Sequence, residues 1–101
     1  MRRGDLVEDG PGVVRPQVVQ LAEPTYPSLA RRLKRAARVV VKVLIDENAK
    51  VVKAEVVQAD KSNLGFNEAA IEAAYKARFT AATKQGIAVK MWVQIPVAFN
   101  P

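Results

Sequence analysis

The sequence predicts a single α+β domain in which two helices pack on one face of a three-stranded antiparallel sheet, in the order α-β-β-α-β. Three runs rich in β-branched residues alternate apolar and polar side chains at a period of two, as half-buried strands do. Two other segments place apolar residues at helical spacing. The length of 101 residues suits one domain with one core, and a hydrophobic content of 50% excludes a disordered chain.

Residues 1–20 are predicted to form a flexible tail or linker, and residues 21–101 to form the folded domain. Glycines and prolines interrupt the tail, at Gly4, Gly10, Pro11, Gly12 and Pro16. The apolar pairs Val13-Val14 and Val18-Val19 leave an added strand open as the alternative for this segment.

The first predicted helix covers residues 28–37 and follows the stiff segment Pro24-Thr25-Tyr26-Pro27. Pro27 suits the start of a helix because its φ angle is already fixed near the helical value. Leu29, Ala30 and Leu33 form a narrow apolar stripe on this helix. The other face is strongly basic, with Arg31, Arg32, Lys34 and Arg35.

A β-hairpin is predicted after this helix. The strand over residues 38–46 places its apolar side chains on one face, at Val39, Val41, Val43 and Ile45, and residues 50–58 alternate in the same way. The connection Glu47-Asn48-Ala49 interrupts the apolar run. Asn48 is the residue of this turn that tolerates a left-handed conformation, so we expect it to adopt that conformation.

The second predicted helix covers residues 68–79 and is rich in alanine, with Gly65 or Asn67 as its N-cap. Its buried face is predicted from residues at helical spacing, namely Phe66, Ala70, Ala73, Ala74 and Ala77. Small side chains allow a helix to lie close to a sheet. Residues 84–86 are predicted to form a turn before the last strand.

The last predicted strand, residues 89–99, has the clearest alternation of apolar and polar residues in the chain. Pro96 cannot donate a hydrogen bond to a neighbouring strand, so this strand belongs at an edge of the sheet. An unprotected edge can pair with a strand of another protein, with backbone bonds for affinity and side-chain pockets for selectivity. The edge of residues 89–99 is therefore the predicted binding site.

Composition argues against an enzyme. The sequence contains no cysteine and no histidine, which removes thiolate chemistry, the usual general base and the commonest nitrogen ligand of metals. The acidic pairs Asp46-Glu47 and Glu68-Glu72 are not tied to a base or to a set of metal ligands, and we predict that they are solvated. We expect no catalytic residue, no bound metal and no cofactor.

The net charge of +6 can attract nucleic acid, anionic lipid or an acidic protein. The basic cluster, which we define as Arg31, Arg32, Lys34, Arg35 and Arg38, could contact phosphates. However, no aromatic residues interleave with it, and no nucleic-acid-binding motif accompanies it. A small basic cytoplasmic nucleic-acid-binding module is therefore kept as the alternative function, while a solvated or protein-facing surface is favoured and no nucleic acid partner is expected.

Two aromatic residues have two interpretations each. Trp92 lies on the polar face of the last predicted strand, where the tail or the first helix covers it or where a partner contacts it. Tyr26 lies between two prolines and is predicted to anchor its segment to the core, with ligand contact as the alternative.

The sequence leaves the compartment open. No stretch reaches the ~20 apolar residues that a membrane span requires. No signal peptide is recognisable, because the charged residues 1–5 lead into no apolar segment. The chain is expected to be either cytoplasmic or a domain excised from a longer protein.

Five segments in order resemble the C-terminal domain family of TonB. Residues 24–31 are similar to the family's P-x-Y-P-x-x-A-R, and residues 39–46 followed by residues 51 onwards resemble its first hairpin. Residues 67–73 resemble D-x-A-A-L-x-A, residues 78–82 resemble R-F-x-P-A, and residues 89–99 resemble V-x-x-W-V-x-V-P-V-x-F. The resemblance covers residues 24–99.

Four alanines depart from the family pattern. Ala37 and Ala49 stand where the family usually has glycines, and Ala81 and Ala88 stand where it often has prolines. The loss of the glycines predicts altered turn geometry, with a longer or different hairpin loop around Asn48.

The resemblance implies a periplasmic domain of an inner-membrane-anchored energy transducer, with the anchor outside this chain. Through that anchor it would couple to an ion-driven motor of the ExbB/ExbD type. It would grip a short TonB-box-like peptide of an outer-membrane transporter, or of a related gliding-motility protein, and transmit force to it. A homodimer through the same strand edge is also consistent with the sequence.

The resemblance also implies which residues contact the partner. The peptide would add as a strand to the edge of residues 89–99, and the stretch before and including the Tyr-Pro pair would touch the receptor. The expected partner-binding residues are Glu23, Pro24, Tyr26, Pro27, Lys90, Trp92, Val93, Gln94, Ile95 and Pro96.

Overall fold

The computed structural model describes residues 1–101 and has a central antiparallel sheet, two helices and five further short strands. The helices are α1 (Ser28–Arg32) and α2 (Phe66–Lys76). The strands are β1 (Val13–Val14), β2 (Val18–Gln20), β3 (Ala37–Ile45), β4 (Val51–Gln58), β5 (Arg78–Phe79), β6 (Ala82–Lys84), β7 (Ile87–Val89) and β8 (Met91–Phe99). The predicted α+β class is confirmed.

The central sheet has the strand order β4-β3-β8. β3 and β8 pair in one unbroken antiparallel register, from Ala37 opposite Phe99 to Ile45 opposite Met91. Burial alternates along both strands, as the apolar period of two predicts. One face of the sheet therefore lies in the core, and the other carries the polar side chains of the same strands.

Both helices contribute side chains to the core on this face. Ala30 of α1 and Ala70 and Ala74 of α2 have no exposed surface. α2 lies against β3, β4 and β8. Its small side chains bring the helix close to the sheet, where they cover the valines and isoleucines of the strands. The close-packed interface leaves no space for larger side chains on the helix.

Three aromatic rings pack together in this core. Phe66 and Phe99 have ring centroids 4.9 Å apart, and Tyr26 meets both rings edge-on with centroids 5.8 Å and 5.9 Å away. The Tyr26 hydroxyl donates a hydrogen bond to the carbonyl of Arg35. Edge-on packing of this kind stabilises beyond buried area alone, so Tyr26 anchors the segment before α1 to the end of the sheet.

Two small sheets attach residues 1–20 to the rest of the chain. β2 pairs with β5, and β1 pairs with β6, which pairs in turn with β7. Residues 4–7 form backbone hydrogen bonds with residues 88–90. Separate from the main core, these segments share four buried side chains, which we call the satellite cluster: Val7, Ala82, Val89 and Met91.

The observed order of elements differs from the predicted α-β-β-α-β because of the five short strands. Strands of two or three residues carry too little alternation to be recognised in a sequence. The predicted strand over residues 89–99 is also divided, since Val89 ends β7 and Met91 begins β8. The division of the chain into a tail and a domain at residue 21 stays a prediction.

Helix α1 is shorter than predicted, because it ends at Arg32 and not at residue 37. Lys34 adopts a left-handed conformation with φ of 52°. Its N–H donates to the carbonyl of Arg31, and the N–H of Arg35 donates to that of Ala30, which is a Schellman ending. The predicted stripe is wrong at Leu29 and Leu33, which are 50% and 54% exposed.

Helix α2 begins and ends earlier than predicted. Gly65 precedes the helix with φ of 97°, and the predicted cap Asn67 instead bonds the backbone of Asp60 through its side chain. The helix ends at Lys76, and Phe79 belongs to β5. The predicted buried face is correct, because Phe66, Ala70, Ala73, Ala74 and Ala77 are all buried.

The β3–β4 turn reverses at a different residue from the one predicted. Ala49 adopts the left-handed conformation, with φ of 65°, and Asn48 does not. The Asp46 carboxylate accepts hydrogen bonds from the backbone N–H groups of Asn48 and Lys50, both at 2.9 Å. These bonds fix the turn so that the left-handed position falls on an alanine.

Candidate functional site: the free edge of strand β8

The outer edge of β8 directs unpaired backbone groups away from the sheet. Both backbone groups of Lys90 point outward, because its N–H donates to Asp5 and its carbonyl accepts from Val7. Backbone direction alternates along a strand, and the register with β3 has no break between Met91 and Phe99. The residues whose backbone also points outward are therefore Trp92, Gln94, Pro96 and Ala98. We call this row the β8 edge.

Pro96 independently supports this assignment. A proline inside a sheet is tolerated where its missing N–H would face away from the neighbouring strand. Pro96 lies opposite Val40 of β3 within the unbroken register. No hydrogen bond outside the strand ladders involves the backbone of Trp92, Gln94, Pro96 or Ala98. The β8 edge thus offers three N–H donors and four carbonyl acceptors to an added strand.

The opposite edge of the central sheet, along β4, is protected. The pairing of β4 with β3 shifts register twice, between Val40 and Val41 and between Leu44 and Ile45. The N–H of Ala54 donates to the hydroxyl of Tyr75 on α2 at 3.2 Å. Bulges and side-chain capping prevent an edge from pairing with another strand. Of the two outer strands of the central sheet, β8 therefore has the more regular edge.

A groove of about 360 Å³ runs beside the β8 edge. One wall is the segment Leu21–Pro24, the other is the end of α2 at Ala73, Ala74 and Ala77, and the floor is residues 95–98 of β8. Most of the lining is apolar. No backbone hydrogen bond joins residues 21–24 to β8. The groove can therefore receive the inward side chains of a strand that pairs with β8.

The structure brings four of the predicted site residues together in this groove, namely Glu23, Pro24, Ile95 and Pro96. Trp92 and Gln94 lie on the β8 edge next to it. Val93 and Ile95 both point their backbone to β3 and have buried side chains, and of the two only Ile95 lines the groove. Lys90 differs, because residues 5 and 7 already occupy its backbone groups.

The remaining two predicted residues lie outside the groove. Tyr26 is packed against Phe66 and Phe99, and the ring of Pro27 lies next to Gly65, the residue before α2. Their side chains follow the wall segment in the chain and do not line the groove. A direct contact of either residue with a partner stays a prediction.

Trp92 stands on the open face of the sheet, half-buried beside Lys42. The ammonium group of Lys42 lies 4.9 Å from the centroid of the indole ring, in a cation–π contact. Lys42 also forms an ion pair with Glu55, with an N–O distance of 3.2 Å. The hydrogen bonds from Lys42 and then Lys53 lower the pKa of the Glu55 carboxyl below its ordinary value.

The basic cluster is exposed at the end of α1 and the start of β3. Its five side chains take part in none of the ion pairs of the chain, which join Arg15 to Asp9, Lys42 and Lys53 to Glu55, and Lys76 to Glu72. Arg31 lies over the ring of Tyr26, with its guanidinium carbon 5.8 Å from the centroid. The cluster is separate from the groove lining.

Sequence reasoning missed the walls of the groove. Leu21 and Ala22 fall at the predicted border of the tail, and the alanines of α2 were assigned to the core alone. A signal was present at Leu21, a large apolar residue next to the Glu-Pro pair, which is 60% exposed in the structure. Three-dimensional placement is needed to show that it faces the end of α2.

The structure has no cluster of three or more acidic, histidine or cysteine side chains with metal-binding geometry. Neither helix has the length and apolar character required to cross a membrane.

Two helices on an antiparallel sheet, with one free edge strand beside an apolar groove, define a small α+β domain with an open sheet edge. Comparison with known families identifies it further. Residues 22–101 match the family described as the Gram-negative bacterial TonB protein C-terminal, and the chain belongs to that family. A search of curated proteins gave no significant match.

Family membership sets the general role of the chain. The domains of this family are periplasmic, act as non-enzymatic energy transducers and interact with outer-membrane receptors. The resemblance found in the sequence is thereby confirmed, over nearly the same residues.

Proposed function

We propose that this domain holds an extended peptide of an outer-membrane protein by strand addition to the β8 edge, and that it transmits force to that protein. The observation that carries the proposal is the row of outward backbone groups at Trp92, Gln94, Pro96 and Ala98 beside the apolar groove. Backbone bonds would supply affinity, and the groove would select small or apolar side chains.

The pairing of β8 with β3 suits the transmission of force. A pull along an added strand would load its hydrogen bonds to β8 together, because those bonds lie across the direction of the pull. β8 in turn is held by a nine-residue register with β3, at the centre of the main core. The load would therefore reach the most buried part of the protein.

The partners follow from the same proposal. The peptide would belong to a TonB-dependent transporter or to a motility protein of the outer membrane. The energy would come from an ExbB/ExbD-type motor, through a membrane anchor elsewhere in the protein. No cofactor and no nucleic acid takes part in this function.

Two proline substitutions test strand addition. Gln94→Pro removes an outward N–H, so it should abolish peptide binding, seen as a rise in Kd of at least about tenfold. The free energy of unfolding should stay unchanged, because no bond within the protein is lost. Val93→Pro removes an N–H that points to β3, so it should destabilise the protein by about 3 kcal/mol or more. Binding would be measured by calorimetry with a synthetic peptide from the periplasmic end of an outer-membrane transporter, and stability by urea denaturation.

The contrast between neighbouring positions is the control. If Gln94→Pro leaves peptide affinity unchanged in a folded protein, the peptide does not pair with the β8 edge. If Val93→Pro is as stable as the parent protein, the assigned direction of the backbone is wrong.

A further inference from the structure

Residues 3–7 lie on the same edge as the proposed partner site, at its Lys90 end. The N–H of Gly4 donates to the carbonyl of Ala88 at 2.9 Å. The N–H of Lys90 donates to Asp5 at 2.8 Å, and its carbonyl accepts from Val7 at 2.9 Å. Leu6 and Lys90 form a parallel bridge. We call residues 3–7 the arm, because they add to the sheet as a short parallel strand.

Val7 and Arg3 are the side chains that anchor the arm. Val7 is 9% exposed and packs in the satellite cluster with Ala82, Val89 and Met91, whereas its neighbour Leu6 is 61% exposed. After Val7 the chain leaves β8 through exposed residues that include Gly10 and Gly12. The Arg3 guanidinium donates to the Oδ1 atom of Asn48 at 2.8 Å and to the carbonyl of Glu47 at 3.4 Å, both at the exposed surface. The arm is therefore held by three backbone bonds, one buried valine and these exposed bonds, fewer contacts than the strands of the main core have.

The arm also covers a carboxylate oxygen that has no partner. The Oε2 atom of Glu47 is buried without a hydrogen bond. The carboxyl group of Glu47 lies beside Gly4, where a Cβ atom would be 3.1 Å from Oε2. A buried carboxylate oxygen without a donor loses hydration and gains nothing in return. Departure of the arm would return this atom to water, which favours an open state.

We propose that the arm is a detachable internal strand, and that its release opens a second strand-binding site at Ala88–Lys90. The ligand of that site is an extended segment that runs parallel to β8 and places a β-branched residue in the pocket of Val7. The arm itself has an extended backbone and a β-branched residue, Val7, so it competes with any such segment for the site. This inference does not depend on the function proposed above, because it concerns residues 88–90 and not residues 92–98.

The low cost of release has a general basis. Proteins open locally where few apolar contacts and few backbone bonds hold a segment, at free energies well below that of global unfolding. The satellite cluster has four buried residues, whereas the main core has fourteen. The Lys90 amide should thus exchange with solvent through arm opening and not through global unfolding.

Hydrogen exchange of the full chain, followed by NMR, tests the proposal with matched substitutions. Gly4 has φ of 85°, where an L-residue is strained, while Gly10 has open space around it and no positive φ. Gly4→Ala should speed exchange of the Lys90 amide by about tenfold, and Gly10→Ala should leave it unchanged. Val7→Ala should act like Gly4→Ala, and Leu6→Ala like Gly10→Ala. The amide of Val41 in β3 is the reference and should be unaffected by all four.

Binding in trans completes the test. A synthetic peptide with the sequence of residues 1–9 is added to the Gly4→Ala protein, and it should shift the NMR signals of Val89, Lys90 and Met91. The same peptide carrying Val7→Asp should not shift them. The proposal is overturned if the Lys90 amide exchanges at the rate of Val41 in the parent protein. It is also overturned if Gly4→Ala and Val7→Ala do not change that rate, or if the peptide shifts no signal at residues 89–91.

Discussion

Ala49 is the residue of the β3–β4 turn that adopts a strained left-handed conformation. Its φ of 65° lies in a region that disfavours any side chain with a Cβ atom, and the family usually has glycine there. The sequence pointed to Asn48, because asparagine tolerates this conformation. The left-handed conformation falls on Ala49 instead. The Asp46 carboxylate accepts hydrogen bonds from the N–H groups of Asn48 and Lys50, which fixes the residues on both sides of Ala49.

Substitution of Ala49 by glycine should therefore stabilise the protein. The relief of strain exceeds the extra entropy of glycine in the unfolded chain, and we expect a gain of about 0.5–1 kcal/mol. Urea denaturation would measure it. Asn48→Gly is the control in the same turn and should give no gain; a gain at Asn48 alone would mean that the reversal lies there.

Phe79 and Phe99 are two large aromatic residues of the main core. Both are buried, at 5% and 1% exposure, although Phe79 lies in β5 and not at the end of a helix. Truncation of either side chain to alanine should reduce the free energy of unfolding by about 3–5 kcal/mol. Thermal and chemical denaturation would measure the loss, and a loss below about 1 kcal/mol at both positions would contradict the described core.

At the scale of elements, long and strongly periodic segments could be predicted and short ones could not. β3 and the buried face of α2 have alternation or helical spacing over several turns, so their inward residues were predicted correctly. α1 has five residues and ends at a lysine in a left-handed conformation, which no residue preference announces. β1, β2 and β5 exist because of their partners across the chain, so their local sequence carries little information.

The alanine face of α2 makes a prediction at this scale. Ala74 has no exposed surface and packs against the sheet beside the groove. Ala74→Leu should cost about 1–3 kcal/mol, because a close-packed interface has no space for the added atoms. Glu72→Leu, on the exposed face of the same helix, should change stability by less than about 0.5 kcal/mol. Equal effects at both positions, measured by urea denaturation, would show that α2 is not seated on the sheet as described.

The candidate site was predictable in its centre and not in its surroundings. The alternation over residues 89–99 and the position of Pro96 identified the edge strand from sequence alone. The occupation of Lys90 by the arm, and the groove walls at Leu21 and Ala22, depend on contacts between distant segments. Such contacts leave no periodic pattern in the sequence.

At the scale of the whole molecule, the net charge of +6 makes the salt dependence of binding a test between the two functions considered for this chain. Strand addition of an uncharged peptide depends weakly on salt, so its Kd should change by less than about threefold between roughly 50 and 200 mM salt. Binding of phosphates by the five residues of the basic cluster would instead weaken by several hundred-fold, on the order of the counterion slope, over the same range. Fluorescence anisotropy with the peptide and with a nucleic acid of similar length would measure both.

The salt dependence of the Kd for each ligand distinguishes the two functions. Tight, steeply salt-dependent binding of the nucleic acid, together with no binding of the peptide, would support the alternative function. The opposite pattern would agree with the family to which the chain belongs.

The most direct test of the central claim is a map of amide shifts on the labelled chain during titration with the transporter peptide. Strand addition to the β8 edge predicts the largest shifts at Trp92, Gln94 and Ala98, accompanied by shifts at Leu21 and Ala22 in the groove wall. Shifts confined to the basic cluster, with the amides of β8 unchanged, would contradict it.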